Sequence, residues 1–105
     1  MKLTEENNVL TLYLTGEIDH HTARPLREQA DDALLKKRPE RLVLDFSGVS
    51  FMDSSAVGLV MGRYKTARAL GCKTAVAGLK PRDRRIMELS GLKNLIEFQT
   101  QEEKK

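Results

Sequence analysis

Tryptophan is absent from this 105-residue chain, and two tyrosines and three phenylalanines are its only rings of that class. It has one cysteine and three prolines. A lone Cys72 closes no internal disulfide, which suits a reducing compartment, and between Gly71 and a strand-like run it reads as a small buried apolar residue. No stretch approaches the roughly 18 apolar residues of a membrane span, and Met1-Lys-Leu-Thr-Glu-Glu6 lacks the apolar centre of a signal peptide. The expected location is the cytoplasm, with no membrane contact. Neither charge sign dominates: 18 Lys plus Arg against 15 Asp plus Glu leave +3. The densest basic group, Lys80, Arg82, Arg84 and Arg85, has no aromatic interleaving and no zinc spacing beside it, so it reads as a solvated helix face and direct nucleic-acid binding is not expected. With no repeat, low-complexity tract or Pro/Gly-rich linker, residues 1–105 are expected to form one domain around one core, with a polar, frayed tail over 99–105.

What is present is an alternation of strand and helix signals. Leu3 to Glu5 reads as a short strand, Asn7-Asn8 as a tight turn, and Val9 to Thr15 alternates Leu10, Leu12 and Leu14 against Val9, Thr11 and Tyr13. Gly16 then lets the chain turn into a polar loop, Glu17 to Thr22. Thr22 is a candidate cap for a helix with Pro25 in its first turn and the stripe Leu26, Ala30, Ala33, Leu34. A strand over Arg41 to Phe46, a helix to about Leu70, a strand over Lys73 to Ala77, a helix opened by Pro81 and capped near Gly91, and a last strand over Leu95 to Phe98 complete the series. A hairpin followed by strand–helix crossovers predicts an α/β domain with a mixed sheet of four to five strands and three to four helices largely on one side. The loops carrying Asp19-His20-His21 and Asp53-Ser54-Ser55 both follow strands, so a single functional edge is the expectation.

Phe51 to Lys65 is the stretch with a chemistry to explain. Asp53 or Ser54 can cap the helix that follows, and Val57, Val60, Met61, Tyr64 and Ala67 give its apolar stripe. Ser54, Gly58 and Gly62 fall at i, i+4, i+8, and each helical glycine costs about 1 kcal/mol relative to alanine. Close packing against a neighbouring backbone would account for them, and so would a flat small-residue face for a partner. A capping serine is commonly structural, yet a phosphate at Ser54 would sit near the positive end of the helix dipole, opposed by Asp53, and a packed partner would have to accommodate the added charge.

Leu14-Thr-Gly-Glu-Ile-Asp-His-His-Thr-Ala23, Phe51-Met-Asp-Ser-Ser55 with Gly58 and Gly62-Arg-Tyr-Lys65, and Leu89-Ser-Gly-Leu92 closely resemble the anti-sigma factor antagonists of the STAS family, over nearly the whole chain. Asp-Ser-Ser followed by a helix is similar to the family at large; Asp-His-His-Thr-Ala with Gly-Arg-Tyr-Lys is similar to its sporulation members. The resemblance implies a partner switch. The unphosphorylated form binds a dimeric, ATP- or ADP-loaded anti-sigma factor that is also a serine kinase, and thereby releases the sporulation sigma factor; phosphorylation turns it off and a serine phosphatase restores it. Carried onto this chain, the phosphoacceptor is Ser54, Ser55 is its neighbour, Asp19 and Asp53 shape the site, and Ser54, Gly58 and Gly62 face the anti-sigma factor. The free protein is expected as a monomer that needs no cofactor and no metal. Ala56 departs from the glycine expected there and narrows the room at the helix start, and the chain ends about a helix's length after Phe98 sooner than the family pattern.

A stress-response antagonist or a lipid-transporter subunit with the same fold is the alternative. An enzyme is disfavoured: His20 and His21 with Ser54 have no third metal ligand at a usable spacing, and neither Gly-x-Ser-x-Gly nor Gly-Lys-Ser/Thr occurs.

Overall fold

The structure, a computed structural model, describes residues 1–99. The expected tail from residue 100 onward lies outside the described residues. Gln99 itself is held, its N–H donating to the Val76 carbonyl at 2.8 Å.

Five strands form one sheet in sequential order: β1 (Lys2–Glu6), β2 (Val9–Ile18), β3 (Arg41–Met52), β4 (Lys73–Ala77) and β5 (Glu97–Phe98). β1 and β2 make an antiparallel hairpin, and every other neighbouring pair is parallel. Asn7 and Asn8 turn that hairpin with φ of 55° and 66°, a conformation asparagine tolerates better than most residues. The helices are α1 (His20–Lys37), α2 (Ser55–Ala69) and α3 (Pro81–Leu89), followed by a single 3-10 turn over Leu92–Asn94. Leu10, Leu12, Leu14, Leu42, Leu44, Phe46 and Val76 put every second strand residue into one core with Ala30 and Leu34 of α1, Val60 and Ala67 of α2, and Met87 of α3. The other face of the sheet has only a small apolar cluster, Val43, Ala75 and Ala77 with Val9 beside it. The mixed sheet with helices on one side is the architecture read from the sequence.

Both long strands outrun their sequence signals. Gly16 does not end β2: it has φ +75° inside the strand, next to one of two register shifts where β3 carries an extra residue, and the strand continues to Ile18. Such bulges re-aim a strand without ending it. β3 runs past Phe46 for the same reason. The Asp45 carboxylate accepts from the Ser47 N–H at 2.8 Å and the Ser47 hydroxyl at 2.6 Å, stabilising the irregular backbone there. Beyond Ala77, where β4 ends against Asp45, β2 and β3 continue together as a two-stranded arm whose last pair is Ile18 and Met52. That arm carries both polar loops.

Two helix assignments also change. Asp19, extended at φ −130° and ψ −171°, is the N-cap of α1: its Oδ1 accepts from the N–H groups of His21 and Thr22 at 2.9 and 3.0 Å. Thr22 reciprocates, its hydroxyl accepting from the Asp19 N–H at 2.8 Å, so it is the far half of a capping box and not the cap. Pro25 consequently stands more than a turn inside α1, where its missing N–H leaves the carbonyl of exposed His21 to solvent. The last strand is confined to Glu97–Phe98 because the Leu95 and Ile96 N–H groups donate back to the Leu92 carbonyl, at 2.9 and 3.0 Å, as the chain leaves the 3-10 turn.

Candidate partner-binding site

β2 leads into α1 and β3 leads into α2 at the same edge of the sheet. Ile18 and Met52 are paired, and the Asp53 N–H donates to the Ile18 carbonyl at 3.2 Å, so Asp19 and Asp53 follow adjacent, hydrogen-bonded strand ends. The two polar loops therefore share one edge, as their order in the chain suggests.

At the start of α2 the two candidate caps divide the work. Asp53 Oδ1 accepts from the Ser55 N–H at 2.8 Å, whereas Ser54 has helical angles, φ −64° and ψ −14°, and its side chain makes no capping hydrogen bond. The Ser54 hydroxyl is thus exposed and uncommitted at a helix N-terminus, while its neighbour provides the anchor. Ser55 is half-buried. The carboxyl of Asp19 is held below the ordinary carboxylate range, first by the Thr22 N–H, then through the His21 N–H and the Thr22 hydroxyl, with partial burial opposing.

The glycines separate packing from a partner face. A Cβ placed on Gly58 or Gly62 would have no atom within 4 Å beyond its own surroundings on the helix, so no neighbouring backbone approaches either of them. Gly58 is exposed and Gly62 half-buried, and neither has a positive φ. Close packing inside the domain is not the reason for them. Gly78 makes the contrast. It has φ +72°, and its Cβ would fall 2.6 Å from the Ser47 nitrogen, so there glycine is required by the fold.

The buried stripe of α2 is rotated from the expected one. Ala56, Leu59, Val60, Arg63 and Ala67 are buried, while Val57, Met61 and Tyr64 flank them half-buried. Ala56 is wholly enclosed in the core, so its methyl points away from the Ser54 surface and does not crowd it. Arg63 occupies a core position because Asp31 of α1 meets it there, Nε to Oδ1 at 2.7 Å. The contact is a close ion pair whose N–H is poorly aligned with the oxygen. Burial lowers the pKa of Arg63, and the Asp31 charge opposes that shift. The sequence contains a signal for this pair: an arginine in phase with the apolar stripe Ala56, Val60, Ala67 needs an acidic partner on the facing helix.

Between the N-terminal half of α1 and the first turn of α2 lies a groove of about 570 Å³ lined by His20, His21, Arg24, Arg27, Ser55 and Gly58, among others. The two histidines open α1 and do not lie on an extended loop; their rings meet edge-on with centroids 5.4 Å apart. Among the described residues no three His, Cys, Asp or Glu side chains group as a metal site would need. Most of the basic group on α3 is engaged internally: Lys80 donates to the Val49 carbonyl at 2.6 Å, Arg82 pairs with Asp83 and Arg84 with Glu88, each at 3.0 Å. Cys72 is buried, and burial pushes its thiol pKa up, as expected of an apolar filler. Among the described residues no helix is long and apolar enough to cross a membrane.

Residues 1–104 match the STAS domain family. The chain belongs to that family. This STAS domain is 37% identical over 92 residues to the anti-sigma F factor antagonist of Paenibacillus polymyxa, covering 88% of this chain and 79% of that one. To the anti-sigma-B factor antagonist of Listeria monocytogenes it is 33% identical over 95 residues, with 89% and 81% covered. In three dimensions it is similar to the anti-sigma factor antagonist SpoIIAA in its unphosphorylated form, with a TM-score of 0.81, 31% identity and coverage of 97% and 90%. With the Bacillus cell fate determinant SpoIIAA in the phosphorylated form the TM-score is 0.74, again at 31% identity, with 97% and 93% covered. The fold inferred from Asp-His-His-Thr-Ala and Asp-Ser-Ser is thus the fold of this STAS domain.

Proposed function

We propose that this STAS domain is an anti-sigma factor antagonist whose Ser54, Gly58 and Gly62 face binds an anti-sigma factor serine kinase in the cytoplasm and is switched off by phosphorylation of Ser54. The observation that carries this reading is the open face itself: two helical glycines that no packing requires, headed by a serine hydroxyl that caps nothing. The anti-sigma F factor antagonist of Paenibacillus polymyxa and the phosphorylated form of SpoIIAA support the same assignment.

The chemistry follows from the geometry. The Ser54 oxygen attacks the γ-phosphorus of ATP held by the kinase, ADP leaves, and the hydroxyl proton passes to a base of the kinase. Because Asp53 does the capping, the reaction breaks no hydrogen bond of the fold. The product carries nearly two negative charges at pH 7, close to the free N–H groups of the first turn of α2 and to the carboxylate of Asp53. The fold tolerates this charge and a closely packed partner does not, so binding changes while the domain stays folded. Hydrolysis of the phosphate ester by a serine phosphatase restores the hydroxyl. This chain acts as a substrate in both reactions and catalyses neither.

The test is capture of partners from lysate of the source cell with ADP present, comparing the native domain with Ser54→Asp, alongside phosphorylation by the captured kinase. The native form retains a small kinase-like chain and Ser54→Asp does not; Ser54→Ala takes up no phosphate and Ser55→Ala does. Incorporation on Ser55 in the Ser54→Ala variant would overturn the assignment of the acceptor. The Listeria relative favours a second reading, a stress-response antagonist using the same switch. Identification of the sigma factor bound by the captured kinase separates the two.

A further inference from the structure

Arg27 is left without an ion-pair partner by the packing of the core. On an isolated helix its natural partner is Asp31, four residues on. In the fold Asp31 is taken at 2.7 Å by the buried Arg63 of α2, and Arg27 makes no ion pair among the described residues. Its neighbour Arg24 meets only Glu28, at 3.8 Å between two largely exposed side chains, a contact that competes weakly with any incoming anion. Both arginines line the groove between α1 and α2 together with His20, His21, Ser55 and Gly58, and Glu28 is the one acidic side chain in that lining. In the first ten residues of α1, before Ala30, Ala23 and Leu26 pack half-buried against the core, while the exposed Arg24, Arg27 and Glu28 border the groove. Gly58 belongs both to this groove and to the small-residue face beginning at Ser54. The two surfaces are continuous.

Resting on the function proposed above, we infer that the Arg24 and Arg27 wall of α1 is a second half of the partner interface, and that it receives an acidic side chain or acidic segment of the anti-sigma factor kinase. Charge complementarity selects that occupant. Arginine presents a planar fork suited to carboxylates, and Arg27 has that fork free. The placement also bears on the switch. A carboxylate seated beside Ser55 and Gly58 lies next to the phosphorylation site, so the phosphate repels the group that the arginines attract. Phosphorylation then acts on the partner through charge as well as through loss of a flat surface.

The experiment measures association and dissociation rates of the ADP-loaded anti-sigma factor kinase with native domain, Arg27→Glu, Arg24→Glu, Gly58→Gln and, as a control on the far end of α1, Lys36→Glu. Arg27→Glu is expected to slow association at low salt by roughly tenfold or more, with the deficit shrinking as salt rises, since rim charges act mainly on encounter. Arg24→Glu shifts in the same direction and Lys36→Glu stays within about twofold of native. Circular dichroism and thermal melting of each variant check that the fold is retained. If Gly58→Gln loses binding while Arg27→Glu binds like the native domain at every salt concentration, the inference is wrong and the proposed function stands. If Gly58→Gln and Arg27→Glu both bind like native, the partner face itself is misplaced and both fall.

Discussion

Replacing Gly58 or Gly62 by alanine should make the free domain more stable and the partner complex weaker. Glycine in a helix interior costs about 0.8–1.0 kcal/mol relative to alanine because more backbone freedom is lost on folding. That gain is realised only where the new methyl clashes with nothing and the backbone angles are ordinary. Both conditions hold: apart from the chain neighbours and the helix's own backbone no atom lies within 4 Å of either added Cβ, and neither residue has positive φ. Each single variant should therefore gain about 1 kcal/mol, which in a domain of this size is a rise of roughly 4–8 °C in Tm. The double variant should approach the sum, since the two methyls share no partner. Gly78→Ala is the control on the method. The left-handed backbone costs about 1–2 kcal/mol for any other residue, and a Cβ 2.6 Å from the Ser47 nitrogen adds an overpacking cost of about 1–3 kcal/mol. That variant should lose about 2–5 kcal/mol in total. Urea and thermal unfolding measure the four variants against the native domain, and titration of the anti-sigma factor kinase measures binding. If Gly58→Ala or Gly62→Ala is less stable than the native domain, the glycines are held by the fold and the argument for an open partner face collapses. A stable variant that binds with undiminished affinity would leave the glycines without a function in this site.

Asp31→Ala and Arg63→Met test the pair between α1 and α2, and the order of the two matters. Asp31→Ala strands a buried guanidinium and should cost about 3 kcal/mol, whereas Arg63→Met leaves only the one-third exposed Asp31 carboxylate and fills the space, at about 1 kcal/mol; chemical denaturation showing the reverse order would refute this account. Asp19 predicts a pH dependence. Its folded pKa lies below the unfolded value, so its stabilisation is complete above the unfolded pKa of about 3.9 and is lost as pH falls through the folded pKa. Urea melts at a series of pH values should show native and Asp19→Asn converging in acid, and an unchanged difference between them down to pH 2 would contradict it.

Periodicity along the chain was enough to read the element series, the mixed sheet and the segregation of helices to one side, because each element's burial pattern repeats at its own local period. Asp-Ser-Ser ahead of a glycine-bearing helix located the candidate site for a similar reason: caps and small residues are local features. The misreadings are equally instructive. Gly16 looks like a strand end because a left-handed glycine in a bulge and one in a turn have the same local signature, and only pairing with β3 distinguishes them. Thr22 looks like a cap because Asp19 and Thr22 are both competent, and the entry angle of the strand decides which is extended.

By itself the sequence determined which residues could form strands, helices and caps, since those choices depend on side chains a few positions apart. The tertiary structure decided what no short window contains. It rotated α2 so that Arg63 faces the core and Ala56 turns away from Ser54, it left the glycines facing open space, and it gave Asp31 to Arg63, leaving Arg27 free over the groove. Each of these depends on where α1 and α2 meet across the sheet, and that meeting is set by packing between residues about thirty positions apart in the chain.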